Sequence, residues 1–107
     1  MSSQDLVYID VQVFAYRLIP NPTYGQKLFE QSRKFFEDIS HGVFQGITST
    51  FTETEYRGVV KRVLSNVRNH QITPLEEQVA MDEFNGFLSQ LGIVNAAFER
   101  VFVQHAD

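Results

Sequence analysis

The stretch Leu6-Val7-Tyr8-Ile9-Asp10-Val11-Gln12-Val13-Phe14 decides how the rest of the chain is read. Residues 6–9 are apolar on both faces and rich in β-formers, the pattern of a buried strand in a parallel sheet. From Val11 onward the apolar residues Val11, Phe14, Ala15 and Leu18 take the spacing of one helix face. The strand therefore gives way to a helix at Asp10, and Pro20-Asn21-Pro22 breaks that helix.

Working outward, residues 23–40 read as a second helix. Leu28, Phe29, Phe35, Phe36 and Ile39 form its apolar face; Lys27, Glu30, Arg33, Lys34, Glu37 and Asp38 form its solvated side. His41-Gly42 is the stop, and residues 43–48 read as a second short strand. The order β-α-α-β favours a parallel pair with crossover helices. Residues 52–67 carry the clearest helical period, through Tyr56, Val59, Val60, Val63, Leu64 and Val67. Thr73-Pro74-Leu75-Glu76 has the N-cap, the N1 proline and the reciprocal Glu of a helix start. That helix presents Ala80, Met81, Phe84, Phe87, Leu88 and Leu91 and stops at Gly92. The tail is open: residues 98–103 fit either a strand or a further helical turn.

The composition agrees with one α/β domain over residues 1–107, a parallel sheet flanked by helices. Of the 107 residues, 43% are hydrophobic and 21% charged, which is globular rather than disordered. Ten Phe and four Tyr supply a core, and their helical spacing assigns the Phe residues to it rather than to base stacking. A chain of this size buries a smaller share of its surface than a large domain, so association into a homo-oligomer is expected. The absence of cysteine excludes disulfides, thiolate zinc sites and cysteine nucleophiles, and it fits a cytoplasmic location. Residues 1–5 lack a secretory pattern, and no apolar run approaches the ~20 residues of a membrane span, so no membrane partner is expected. A formal net charge of −4 gives no global pull on nucleic acid; binding would need a local basic patch.

Two acids stand where an α/β sheet builds its ligand sites, outside the carboxyl ends of its strands. Asp10 can hold a divalent cation through oxygen or cap the helix that follows it. Glu55 falls in the first turn of the helix after the second strand. It can act beside Asp10, or it can complete a capping box with Thr52. Arg57, Lys61 and Arg68 share one stripe of the same helix, which reads as a solvated face; Arg62 lies on the other flank, with Glu55. Arg33 and Lys34 read as surface pairs. His41, His70 and His105 share no ligand spacing.

Three segments together resemble a protein family: Val7-Tyr8-Ile9-Asp10-Val11-Gln12-Val13-Phe14, Pro20-Asn21-Pro22-Thr23-Tyr24-Gly25-Gln26-Lys27 and Thr48-Ser49-Thr50-Phe51-Thr52-Glu53-Thr54-Glu55. They resemble the opening of a PIN domain, most closely the ribonuclease toxins of prokaryotic toxin–antitoxin pairs and similar archaeal proteins. The resemblance covers residues 6–64 and continues loosely through 73–91. It implies a Mg²⁺- or Mn²⁺-dependent endoribonuclease, with Asp10 and Glu55 as the catalytic, metal-holding acids. Gln12, Thr48, Ser49 and Arg62 are then expected to meet the RNA substrate, and an antitoxin protein is an expected partner. The chain departs from the family at Gln12, where a smaller polar residue is usual. It also departs after residue 91, where further acids are usual; Asp82, Glu83 and Asp107 do not match them. The expectation is therefore a PIN-like domain lacking its C-terminal part, either truncated or completed by a partner. The alternative function is a non-catalytic interaction module that pairs with a partner or with itself.

Overall fold

The computed structural model describes residues 5–96. Along the chain run β1 (Leu6–Tyr8), α1 (Val11–Leu18), α2 (Gly25–Ser40), β2 (Gln45–Ser49), α3 (Thr50–Arg68), α4 (Pro74–Leu91) and β3 (Val94–Ala96). The strands form one parallel sheet in the order β1-β2-β3. Tyr8 lies opposite Ile47, and Ile47 opposite Val94. The architecture is α/β, with four helices and a three-stranded parallel sheet among the described residues.

β2 lies between the other two strands and is the most buried. Gly46 lets three isoleucine side chains close over it. A Cβ at this position would come within 2.9 Å of Ile9 Cδ1 and 3.1 Å of both Ile39 Cδ1 and Ile93 Cγ1. β1 is less covered than its apolar run suggests. Ile9, just past it, is buried, but Leu6 and Tyr8 are 70% and 56% exposed because β1 is an outer strand of the described sheet.

The helices pack through aromatic rings. Phe14 meets Phe36 at 5.4 Å and Phe84 at 4.9 Å between centroids, and Tyr56 stacks on Phe84 at 4.5 Å. These contacts join α1, α2, α3 and α4 into one core. Phe14, Phe36 and Phe84 are buried as their spacing predicts, whereas Phe51 stands exposed.

Element boundaries move for identifiable reasons. α2 begins at Gly25 rather than Thr23, because the Asn21 side chain accepts from both the Thr23 amide (3.0 Å) and its hydroxyl (2.9 Å) and closes a turn. β2 begins at Gln45 rather than Val43, because the Val43 amide is spent on the Asp38 carbonyl (2.9 Å), closing the end of α2 around Gly42 at φ +76°. α4 starts and stops where the sequence predicts. Thr73 Oγ1 accepts from the Glu76 amide at 3.1 Å, Glu76 Oε1 accepts from the Thr73 amide at 2.9 Å, and Gly92 takes φ +67°. β3 was not foreseen; the alternatives for residues 98–103 lie outside the described residues. No helix among the described residues is long and apolar enough to cross a membrane.

Candidate functional site

The start of α3 corrects one sequence expectation. Thr52 is not its N-cap. Ser49 is, with its hydroxyl accepting from the Thr52 amide at 3.3 Å. Tyr8 reaches over from β1 and its phenol lies 2.7 Å from Ser49 Oγ and 2.6 Å from Thr52 Oγ1. This cluster ties the end of β1 to the first turn of α3. Its consequence for Glu55 is direct: with the cap one turn earlier, Glu55 has no capping duty, and its carboxylate is exposed without a hydrogen bond or ion pair among the described residues.

Glu55 lines a cleft of about 480 Å³ between α1 and α3. The α3 wall is Glu55, Gly58, Val59 and Arg62, spaced i, i+3, i+4, i+7 along one stripe. The α1 wall is Val11, Gln12, Ala15 and Tyr16, and Tyr24 also lines the cleft. Asp10 is the N-cap of α1 and directly precedes Val11, so it sits one residue outside this lining. Its Oδ1 accepts from the Val11 amide at 2.8 Å, which leaves Oδ2 without a hydrogen bond among the described residues. Capping therefore uses only one of its oxygens.

Of the residues expected at the site, the cleft brings together Gln12, Glu55 and Arg62, with Asp10 adjoining. Thr48 and Ser49 stand apart. Thr48 is fully buried and donates to the Ile9 carbonyl at 3.4 Å, and Ser49 is 2% exposed and occupied as the cap. Their hydroxyls hold the sheet and the α3 terminus together, and neither lines the cleft.

The basic residues of α3 divide by side. Arg57 and Lys61 both reach Glu77 at 3.5 Å, and Arg68 pairs with Glu76. That stripe is therefore the seam to α4. Arg62 makes no ion pair among the described residues. Arg33 and Lys34 pair along α2 with Glu30, Glu37 and Asp38, and Arg17 lies over the rings of Phe29 and Phe87.

Five cleft or edge residues escaped the sequence reading. Tyr16 and Tyr24 pair edge-to-face at 5.1 Å, Gly58 opens the α3 wall, and Glu53 accepts from Asn95 Nδ2 at 2.8 Å, linking α3 to β3. Tyr16 follows Gln12 by one turn, and its phenol donates to Gln12 Oε1 at 3.1 Å; that i, i+4 spacing was the available signal. Nothing local announces Tyr24 or Asn95.

No group of three or more His, Asp or Glu side chains placed to hold a metal exists among the described residues. Asp10 and Glu55 supply two hard oxygen donors. Carboxylate oxygens are the donors that a hard divalent cation takes, and two of them alone make a weak site. No protein-family model matches the chain, and no curated protein or solved structure matches it.

Proposed function

We propose that this chain is a PIN-like domain whose α1–α3 cleft hydrolyses RNA phosphodiester bonds with Mg²⁺ or Mn²⁺. The observation that carries the reading is Glu55, released from capping, in one cleft with Gln12 and Arg62 and beside the half-free carboxylate of Asp10. The position supports it too, since the cleft adjoins the carboxyl ends of β1 and β2.

In this reading Asp10 and Glu55 would hold the cation, Gln12 would orient the scissile phosphate and Arg62 would neutralise a neighbouring one. A bound Mg²⁺ or Mn²⁺ would lower the pKa of water and polarise the phosphoryl oxygens. The test is cleavage of a labelled single-stranded RNA in Mn²⁺ and in EDTA by the wild type, Asp10→Asn and Glu55→Gln. Mn²⁺-dependent cleavage that falls at least ~10²-fold in both variants is expected. Equal cleavage under all conditions refutes the assignment.

The exposure of Leu6, Tyr8 and Val94 on the outer strands β1 and β3 favours a second reading, a module that docks on another protein chain or on its own copy. Light scattering at high concentration tests self-association, and a monomer throughout counts against the homo-oligomer.

A further inference from the structure

Two features of the cleft, Gly58 and a pair of tyrosines, are not used by the hydrolytic reading, and a third, Arg62, is shared with it. The first is Gly58. It sits in the interior of the 19-residue helix α3, and a Cβ there would meet nothing within 4 Å. No close packing or unusual backbone angle demands glycine at this position. Glycine in a helix interior nevertheless destabilises the fold relative to alanine. What its missing side chain provides is open space on the wall of a cleft that Ala15 also lines.

The second is the pair of tyrosines. Tyr16 and Tyr24 are half-buried and line the same cleft, with ring centroids 5.1 Å apart at an interplanar angle of 77°. Tyr16 does not belong to the hydrophobic core, and its hydroxyl donates to Gln12 Oε1. The third is Arg62, which has no ion pair among the described residues, on a helix whose Arg57, Lys61 and Arg68 all meet acids of α4. Arg62 and Glu55 are seven residues apart, about 10.5 Å along the axis. That exceeds the ~8 Å screening length, so each charge is free to address a different part of a ligand.

An aromatic wall, the Arg62 guanidinium and bare helix backbone in one cleft fit a flat ring carrying an anionic group. We infer that the cleft holds one unpaired nucleotide of a single strand, its base stacked at Tyr16 and Tyr24, its sugar over Gly58 and its phosphate on Arg62. The inference rests on the proposed RNA reading for the class of ligand, but it concerns binding and does not depend on cleavage. A volume of about 480 Å³ lies within the usual range for a small-ligand site. A base held in a duplex is already stacked on its neighbours and cannot enter, so the cleft selects single strands.

The experiment measures fluorescence anisotropy of a 5′-fluorescein decauridylate with the whole chain in EDTA, where metal-dependent cleavage is absent. Tyr16→Ala is expected to weaken binding about 5- to 150-fold, the range for one base–aromatic stack. Tyr16→Phe keeps the ring and is expected to bind within a factor of about two of wild type by the same stacking argument. Gly58→Ala is the decisive variant: it should raise Tm by roughly 4–8 °C and still weaken binding, so a loss of affinity cannot be ascribed to unfolding. A ten-base-pair RNA duplex should bind more weakly than the single strand.

No binding of the decauridylate, or unchanged affinity in both Tyr16→Ala and Gly58→Ala, overturns the inference whatever the cleavage assay shows. Dimerisation that closes the cleft and is abolished by Tyr16→Ala also overturns it in favour of a protein partner. Binding with this variant pattern but without Mn²⁺-dependent cleavage removes the nuclease reading and leaves the nucleotide site standing.

Discussion

Replacing Ser49 with alanine tests the linkage between β1 and α3 on which the placement of both acids depends. Ser49 Oγ accepts from the Thr52 amide at 3.3 Å and lies 2.7 Å from the Tyr8 phenol. Losing the cap removes the side-chain partner of one of the orphan amides at the helix start, which costs about 0.5–2 kcal/mol. The Tyr8 phenol keeps Thr52 Oγ1 at 2.6 Å, so the second hydrogen bond is lost without orphaning its partner, adding about 0.5–1 kcal/mol. The expected total is about 1–3 kcal/mol. At ~4–8 °C per kcal/mol for a domain near this size, Tm falls by several degrees or more. Urea unfolding followed by far-UV circular dichroism measures the loss, with an unchanged slope showing that only stability moved. Tyr8→Phe and the double variant complete a cycle, in which a coupling of at least ~0.5 kcal/mol is expected. Thr54→Ala is the control, since its exposed hydroxyl only back-bonds to the Thr50 carbonyl, and it should stay within ~0.5 kcal/mol of wild type. A Ser49→Ala change within ~0.3 kcal/mol, or strict additivity with Tyr8→Phe, would refute the linkage.

Other expectations follow from side chains whose partners are fixed. Burial pushes the Tyr56 phenol well above its ordinary pKa of 10, and Glu83 adds to the effect. A raised phenol pKa means that the unfolded chain releases its proton first, so the stability is complete below pH ~10 and declines above it, by up to ~1.4 kcal/mol per pH unit. Tyr56→Phe should flatten that decline in alkaline urea titrations; an identical decline in both proteins removes Tyr56 as its source. Arg62→Gln should reduce the slope of log K against log salt for single-stranded RNA by about 0.7, while Lys61→Gln, which loses only its contact to Glu77, should leave it unchanged. Equal effects of the two variants would make the whole of α3 an unspecific basic surface.

The residues that could be read from sequence alone are those whose partners lie within one turn. Thr73, Pro74, Glu76 and Gly92 bound α4 because each acts on backbone three or four residues away, so local chemistry decides. The start of α3 was not local. Both Ser49-x-x-Thr52 and Thr52-x-x-Glu55 offer a side chain to an amide three residues on; Tyr8, 41 residues before Ser49, holds the first arrangement. β3 was hidden for a similar reason. Val94, Asn95 and Ala96 are not a strong strand sequence, and they extend because β2 has a free edge beside them. At the cleft, Glu55 and Arg62 were legible as one side of α3 by their spacing. Tyr24 and the openness at Gly58 became visible only when α1 and the α2 entry packed against that helix.

The pairing of the α3 stripe with Glu76 and Glu77 also governs how an anion would arrive. Cations bound in that seam contribute little outward field, and a net charge of −4 repels a polyanion at long range. Encounter with a nucleic acid is then unsteered, nearer the 10⁵–10⁶ M⁻¹s⁻¹ of neutral partners than the 10⁸–10⁹ M⁻¹s⁻¹ of complementary ones. Added salt should leave the association rate flat or raise it by masking repulsion, while it speeds dissociation by weakening the contact at Arg62. Capture would thus depend on how long a strand stays, not on how fast it is drawn in.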